Sequence, residues 1–95
     1  MTEAAKLTKP QVNFLWKLMD RPGIEPYGAE WRTFGTLTVR GLADNNGLRA
    51  YVTTAGLQAL ADYWMRKDAA SGCVAYQQRR QRVEAELAKA IGGAV

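Results

Sequence analysis

The sequence predicts a small domain of mostly helical class with one short β-hairpin, an α+β fold. Three observations carry that expectation. Apolar residues recur at helical spacing over residues 12–19, 57–64 and 83–91. An Asn45-Asn46-Gly47 turn separates two short runs with strand character. Ninety-five residues are enough for one domain with a single modest core.

The first helix is signalled at both ends. Thr8 is placed to cap it, and Gln11 three residues on completes a capping box. Leu7 before the cap and Val12 inside the helix form a hydrophobic staple, and Pro10 falls in the first turn, where its missing N–H costs nothing. Val12, Leu15, Trp16 and Met19 then share a face, with Leu18 beside them. Asp20-Arg21-Pro22-Gly23 ends the helix, and residues 22–30, "PGIEPYGAE", read as a loop or a distorted turn.

Residues 31–42 have two readings. As a strand, Leu37 and Val39 alternate with Thr36, Thr38 and Arg40, and β-branched residues favour it. As a helix, Phe34, Leu37 and Gly41 share a face with Trp31 one turn earlier, against a cost of about 1 kcal/mol for Gly35. Local propensity alone leans to the strand.

The second run, "LRAYVTT", predicts a strand with Leu48, Ala50 and Val52 on one face. Thr54 is then expected to cap a helix whose buried stripe is Leu57, Leu60, Ala61 and Trp64, with Arg66-Lys67 in its last turn. "DAASG", residues 68–72, interrupts the pattern, dividing the chain into residues 1–70 and a C-terminal basic helix within 71–95. That last helix carries Val83, Leu87 and Ile91 at i, i+4 and i+8, and Gly92-Gly93 ends it. The stripe is narrow and either packs on the domain or forms a dimer seam.

The formal charge is +4, unevenly spread: residues 1–65 carry seven basic and six acidic side chains, residues 66–95 six and three. No apolar run approaches the ~20 residues that span a bilayer, and the N-terminus lacks the pattern of a secretory signal. With one cysteine, Cys73, no internal disulfide is expected, which fits a reducing cytoplasm. The chain has no histidine, its carboxylates are scattered, and no zinc spacing or phosphate-binding glycine loop occurs. The expectation is therefore a cytoplasmic protein that is not an enzyme and has no metal or cofactor.

The stretch "TLTVRGLADNNGLRAYVTTAGLQALADYW" resembles the second half of a winged helix-turn-helix domain, of the kind found in multiple-antibiotic-resistance regulators. In that family a leucine-bearing helix ends in Arg-Gly-Leu, two strands enclose a short wing, and Thr-x-x-Gly opens the next helix. Leu37, Arg40-Gly41-Leu42, Asn45-Asn46-Gly47 and Thr53/Thr54-Ala55-Gly56 stand in those places. The likeness covers residues 31–65, and residues 7–19 would be the family's first helix. About two dozen residues separate that helix from Gly41, where the family uses thirty or more. One helix of the pair must therefore be missing, very short, or replaced by the 22–30 loop, as in the degenerate versions that phages and mobile elements carry.

The resemblance implies a winged helix with an added C-terminal helix, acting as a DNA-binding regulator. Its recognition helix would present Arg32, Thr33, Thr36 and Arg40 to the major groove, with Asn45, Asn46 and Arg49 of the wing at phosphate or minor groove. Each residue has a plainer role. The threonines suit a solvated or strand face, Arg40 suits its own helix C-terminus, and Asn45-Asn46 suits turn chemistry. Arg79, Arg80 and Arg82 could neutralise phosphates or form ion pairs with Glu84 and Glu86 on a solvated face. A two-fold operator would call for a homodimer through Val83, Leu87 and Ile91. The alternative is a protein-binding adaptor gripping its partner with an exposed apolar patch, for which Tyr27, Trp31 and Phe34 are the candidates.

Overall fold

The computed structural model describes residues 7–92. Four helices and one antiparallel hairpin make a small α+β fold: α1 (Lys9–Asp20), α2 (Glu30–Val39), β1 (Ala43–Asn46), β2 (Arg49–Val52), α3 (Thr54–Ser71) and α4 (Val74–Gly92).

Helix α1 starts on the predicted capping box. The Gln11 N–H donates to Thr8 Oγ1 at 3.3 Å and the Thr8 N–H donates to Gln11 Oε1 at 3.0 Å, so two donors at the helix start are satisfied reciprocally. Val12, Phe14, Leu15, Leu18 and Met19 are buried, and Leu7 packs against the same core. No helix follows before α2, so the loop takes the place of the helix that the family pattern would require. The loop is pinned to the hairpin instead. The Gly23 N–H donates to the Ala50 carbonyl at 3.0 Å, and the Ala50 N–H donates to the Ile24 carbonyl at 2.7 Å.

Residues 30–39 are helical, against the lean of local propensity. Tertiary burial decides it: Phe34 and Leu37, one turn apart, both enter the core, which an alternating strand would not allow. The helix also satisfies its own threonines, since Thr36 Oγ1 donates to the Arg32 carbonyl at 3.2 Å and Thr38 Oγ1 to the Gly35 carbonyl at 2.8 Å. The exit is a Schellman motif. Gly41 takes φ +76°, its N–H donates to the Thr38 carbonyl, and the Leu42 N–H reaches back to the Leu37 carbonyl. Leu37 and Leu42 are both buried beneath that turn.

The hairpin pairs Ala43 with Val52 through to Asn46 with Arg49, leaving Gly47-Leu48 as a two-residue turn. Gly47 takes φ +67°, as the first position of a tight hairpin turn demands. Leu48 is therefore exposed at the tip, not on the buried face with Ala50 as the alternation predicts. The cap of α3 is Thr53, one residue earlier than expected. Its Oγ1 accepts from the Gly56 N–H at 3.0 Å while donating to the Gly41 carbonyl at 2.8 Å.

Helix α3 buries Leu57, Leu60, Ala61 and Trp64 as predicted, but it runs through 68–71 and ends at Gly72 with φ +66°. Asp, Ala and Ser do not break a helix whose face is already docked, so Arg66 and Lys67 lie before the last turn. Helix α4 packs back along α3, and Val83 is fully buried in the same core. Trp64 stands at the centre of an aromatic cluster, with ring centroids 5.0 Å from Tyr63, 5.6 Å from Tyr76 and 6.3 Å from Trp16. The cluster joins α1, α3 and α4.

Gly56 has no room for a side chain, because a Cβ there would collide with the Leu42 carbonyl and the Val52 methyl. Gly56→Ala is expected to destabilise the fold by about 1–3 kcal/mol. The chemical-denaturation midpoint, measured with an unchanged m-value, checks it.

Candidate nucleic-acid interface

Helix α2 and the hairpin decide which of the sequence-selected residues share a surface. Burial of Phe34 and Leu37 turns the opposite face of α2 to solvent, and Arg32, Gly35, Thr36 and Val39 occupy or flank it at spacings of three and four. Among the described residues the Arg32 guanidinium has no hydrogen-bond or ion-pair partner. Thr36 is exposed beside it. Thr33 lies on the flank turned towards α1, half-buried in a cleft of about 290 Å³ that Pro10, Asn13, Phe14, Lys17 and Glu30 also line.

Arg40 and Arg49 are committed to the scaffold as well as adjacent to this face. Arg40 donates to Gln11 Oε1 at 3.3 Å, tying the end of α2 to the capping box of α1. Arg49 donates to the Gly23 carbonyl at 3.0 Å and so holds the loop against the hairpin. Asn45 is paired with Ala50 in β1 and not in the turn, but its Nδ2 donates to the carbonyl of the turn residue Gly47 at 3.0 Å, and Asn46 is exposed opposite Arg49.

The three arginines of α4 are each engaged within the chain. Arg79 stacks over the Trp64 ring at 5.0 Å. Arg80 pairs with Asp68 at 3.1 Å and Glu84 at 3.7 Å. Arg82 pairs with Asp20 at 3.1 Å and Glu86 at 3.7 Å and lies 5.8 Å from the Trp16 ring centre. Their partners lie on α1, α3 and α4, and α2 and the hairpin supply none of them. The ion pairs with Glu84 and Glu86 are those the sequence offered as the plain role. Of the seam residues, Val83 belongs to the core of its own chain, Leu87 is half-buried against that core, and Ile91 is 64% exposed.

A single charge pair sets the N-terminus of α2. Lys17 Nζ lies 2.6 Å from Glu30 Oε2, and Glu30 Oε1 accepts the Tyr27 N–H at 2.9 Å. The hydrogen bond from Lys17 holds the Glu30 carboxyl below its ordinary value. Partial burial opposes that shift, and the Tyr27 N–H and the Lys17 charge add to it.

Sequence reasoning missed Val39, which is 87% exposed at the end of the outward row. The signal was present, since Val39 lies seven residues from Arg32 and three from Thr36, but the strand reading had placed it on an apolar face with Leu37. Of the three aromatic candidates, Phe34 is buried, Trp31 is 43% exposed and Tyr27 is 85% exposed. Among the described residues no group of acidic, histidine or cysteine side chains is arranged to hold a metal ion, and no helix is long and apolar enough to cross a membrane. Comparison with protein-family models, with curated proteins and with solved structures returns no match.

Because folding lowers the Glu30 pKa, its contribution to stability is complete above the unfolded-state value near 4.5 and is lost as pH falls through the lower folded value. Urea titrations between neutral pH and about pH 3 are expected to show the native chain converging on Glu30→Gln only at the acid end. Parallel curves throughout would remove the Lys17 pair from the account of α2.

Proposed function

We propose that this chain is a small, non-enzymatic DNA-binding protein that lays α2 in the major groove of duplex DNA and follows the neighbouring backbone with its hairpin. The observation that carries this reading is the Arg32–Thr36 row. It is an outward helix face bearing a guanidinium with no partner among the described residues, joined to a hairpin whose first strand exposes Asp44, Asn45 and Asn46. Helix and hairpin together are the two parts that a winged-helix protein uses on DNA. The resemblance of residues 31–65 to that family supports the same reading, and a transcriptional regulator is the role it implies.

In this reading Arg32 meets guanine or phosphate, Thr36 lies against base edges, and Asn46 meets the backbone. Arg40, Arg49 and Asn45 act mainly by holding α2 and the turn in place. Arg80 and Arg82 contribute little, because their charges are balanced by Asp68, Asp20, Glu84 and Glu86, and Arg79 lies over the Trp64 ring, away from α2 and the hairpin. A two-fold site would be served by a homodimer through the exposed end of α4, with Ile91 and Leu87 meeting a second copy and Val83 left in the core.

A second reading has its own observation. Tyr27, Trp31 and Val39 are exposed apolar side chains on the α2 side of the molecule, as a protein-binding adaptor would require. Salt dependence separates the two.

With few phosphate contacts, affinity for a mixed-sequence duplex should be micromolar or weaker. It should fall with a log–log salt slope of about −2 to −4 between ~50 and ~200 mM. Arg32→Ala should weaken binding and reduce that slope by about 1. Fluorescence anisotropy measures both. No binding at either salt would overturn the DNA reading in favour of the adaptor.

A further inference from the structure

Gly35 lies in the interior of α2, where glycine is the costliest residue after proline, and nothing among the described residues requires it there. A Cβ built at Gly35 would meet no atom within 4 Å, and its φ is not positive. This contrasts with Gly56, which is jammed against a carbonyl, and with Gly41, which the turn demands. Gly35 therefore leaves a notch on the open side of α2, flanked by Arg32, Thr36 and Val39. A missing side chain on an exposed helix flank allows the backbone to approach an outside surface closely.

The chemistry around the notch is methyl-rich. Val39 is almost wholly exposed. The Thr36 hydroxyl donates to the Arg32 carbonyl, so its hydrogen is committed while its oxygen can still accept and its methyl remains for apolar contact. Arg32 supplies the one charge of the row, positive and therefore complementary to phosphate. From Arg32 to Val39 the helix rises about 10 Å, or about three base-pair steps at ~3.4 Å each. In the major groove the only apolar base-edge group is the thymine 5-methyl.

We infer that α2 is seated on DNA through the Gly35 notch and reads thymine 5-methyl groups with Val39 and Thr36. This rests on the DNA-binding reading and adds to it a base preference and two residues, Gly35 and Val39. A·T-rich major groove is the preferred surface, and the discrimination is by methyl contact, with Arg32 fixing the register.

The test uses the full chain and three short alternating duplexes at ~50 mM salt. One contains adenine and thymine, one has deoxyuridine in place of every thymidine, and one contains guanine and cytosine. The thymine duplex should bind roughly four- to tenfold tighter than its uracil counterpart, about fourfold for each methyl buried. Val39→Ala should weaken binding to the thymine duplex more than to the uracil duplex and so reduce that ratio towards one. Gly35→Ala should raise the melting temperature by about 4–8 °C and yet weaken binding to all three duplexes, opposite signs that a purely structural role would not produce. Equal affinity for thymine and uracil duplexes, or Gly35→Ala binding as well as the native chain, would overturn the inference alone. Failure to bind any duplex would overturn the DNA reading and this inference with it.

Discussion

The two-residue junction Gly41-Leu42 is the constraint on which the rest of the chain depends. Within it the Leu42 N–H closes the end of α2, the Leu42 carbonyl accepts the Thr53 N–H at 3.2 Å, and the Gly41 carbonyl accepts the Thr53 hydroxyl. The end of one helix, the base of the hairpin and the start of the next helix therefore share one set of hydrogen bonds. Gly56 then seats the first turn of α3 directly on the Leu42 carbonyl. Replacing Gly41 would cost the positive φ, and the hairpin and α3 would lose their common anchor with it.

From that junction the molecule divides its charges by purpose. Lys17–Glu30 and Arg40–Gln11 fix α2 on α1, Arg49 holds the loop on the hairpin, and the α4 arginines fasten α4 to α1 and α3. Exposed pairs of this kind are each worth about 0–1 kcal/mol, so their main effect is to set orientation. The ion pairs cancel within the chain, so the net charge of +4 is carried by basic side chains outside them. What remains on the outward row of α2 is one arginine among small and apolar side chains, so under the proposed DNA reading affinity would be modest and set by contact geometry.

Legibility in the sequence followed how local each determinant is. The capping box of α1 and the glycine exit from α2 are written in neighbouring residues and were readable, and so was the existence of a hairpin. Its turn, however, falls at Gly47-Leu48, with Asn45 and Asn46 paired in β1 and not in the turn as expected. The helical state of residues 30–39 was not legible from local propensity, because threonine and valine favour a strand and glycine disfavours a helix, and both are overruled by Phe34 and Leu37 entering a core built by other segments. The continuation of α3 through 68–71 failed for a related reason: its support is the packing of α4, some ten to fifteen residues later. Val83 shows the limit for surfaces, since an i, i+4 stripe looks the same whether it meets its own domain or a second copy. Within the candidate interface, Arg32 and Thr36 were legible as a helical pair. Val39 and Gly35 were not, because their exposure depends on how α2 is rotated.

That rotation links fold and function in this molecule. Two buried residues, Phe34 and Leu37, hold α2 to a single orientation, and the Glu30–Lys17 pair and the Gly41 exit fix its two ends. The inward face is over-determined by packing, whereas among the described residues no other element packs on Arg32, Thr36 or Val39 of the outward face. Residues on such a face are free to be whatever stabilises the helix best, and alanine, glutamate or lysine would serve. Instead the row carries a glycine with open space around it and a valine left in water, both poor choices for an isolated helix. Local stability is therefore lowest where packing among the described residues makes no demand, and this is the face on which the proposed reading places a partner.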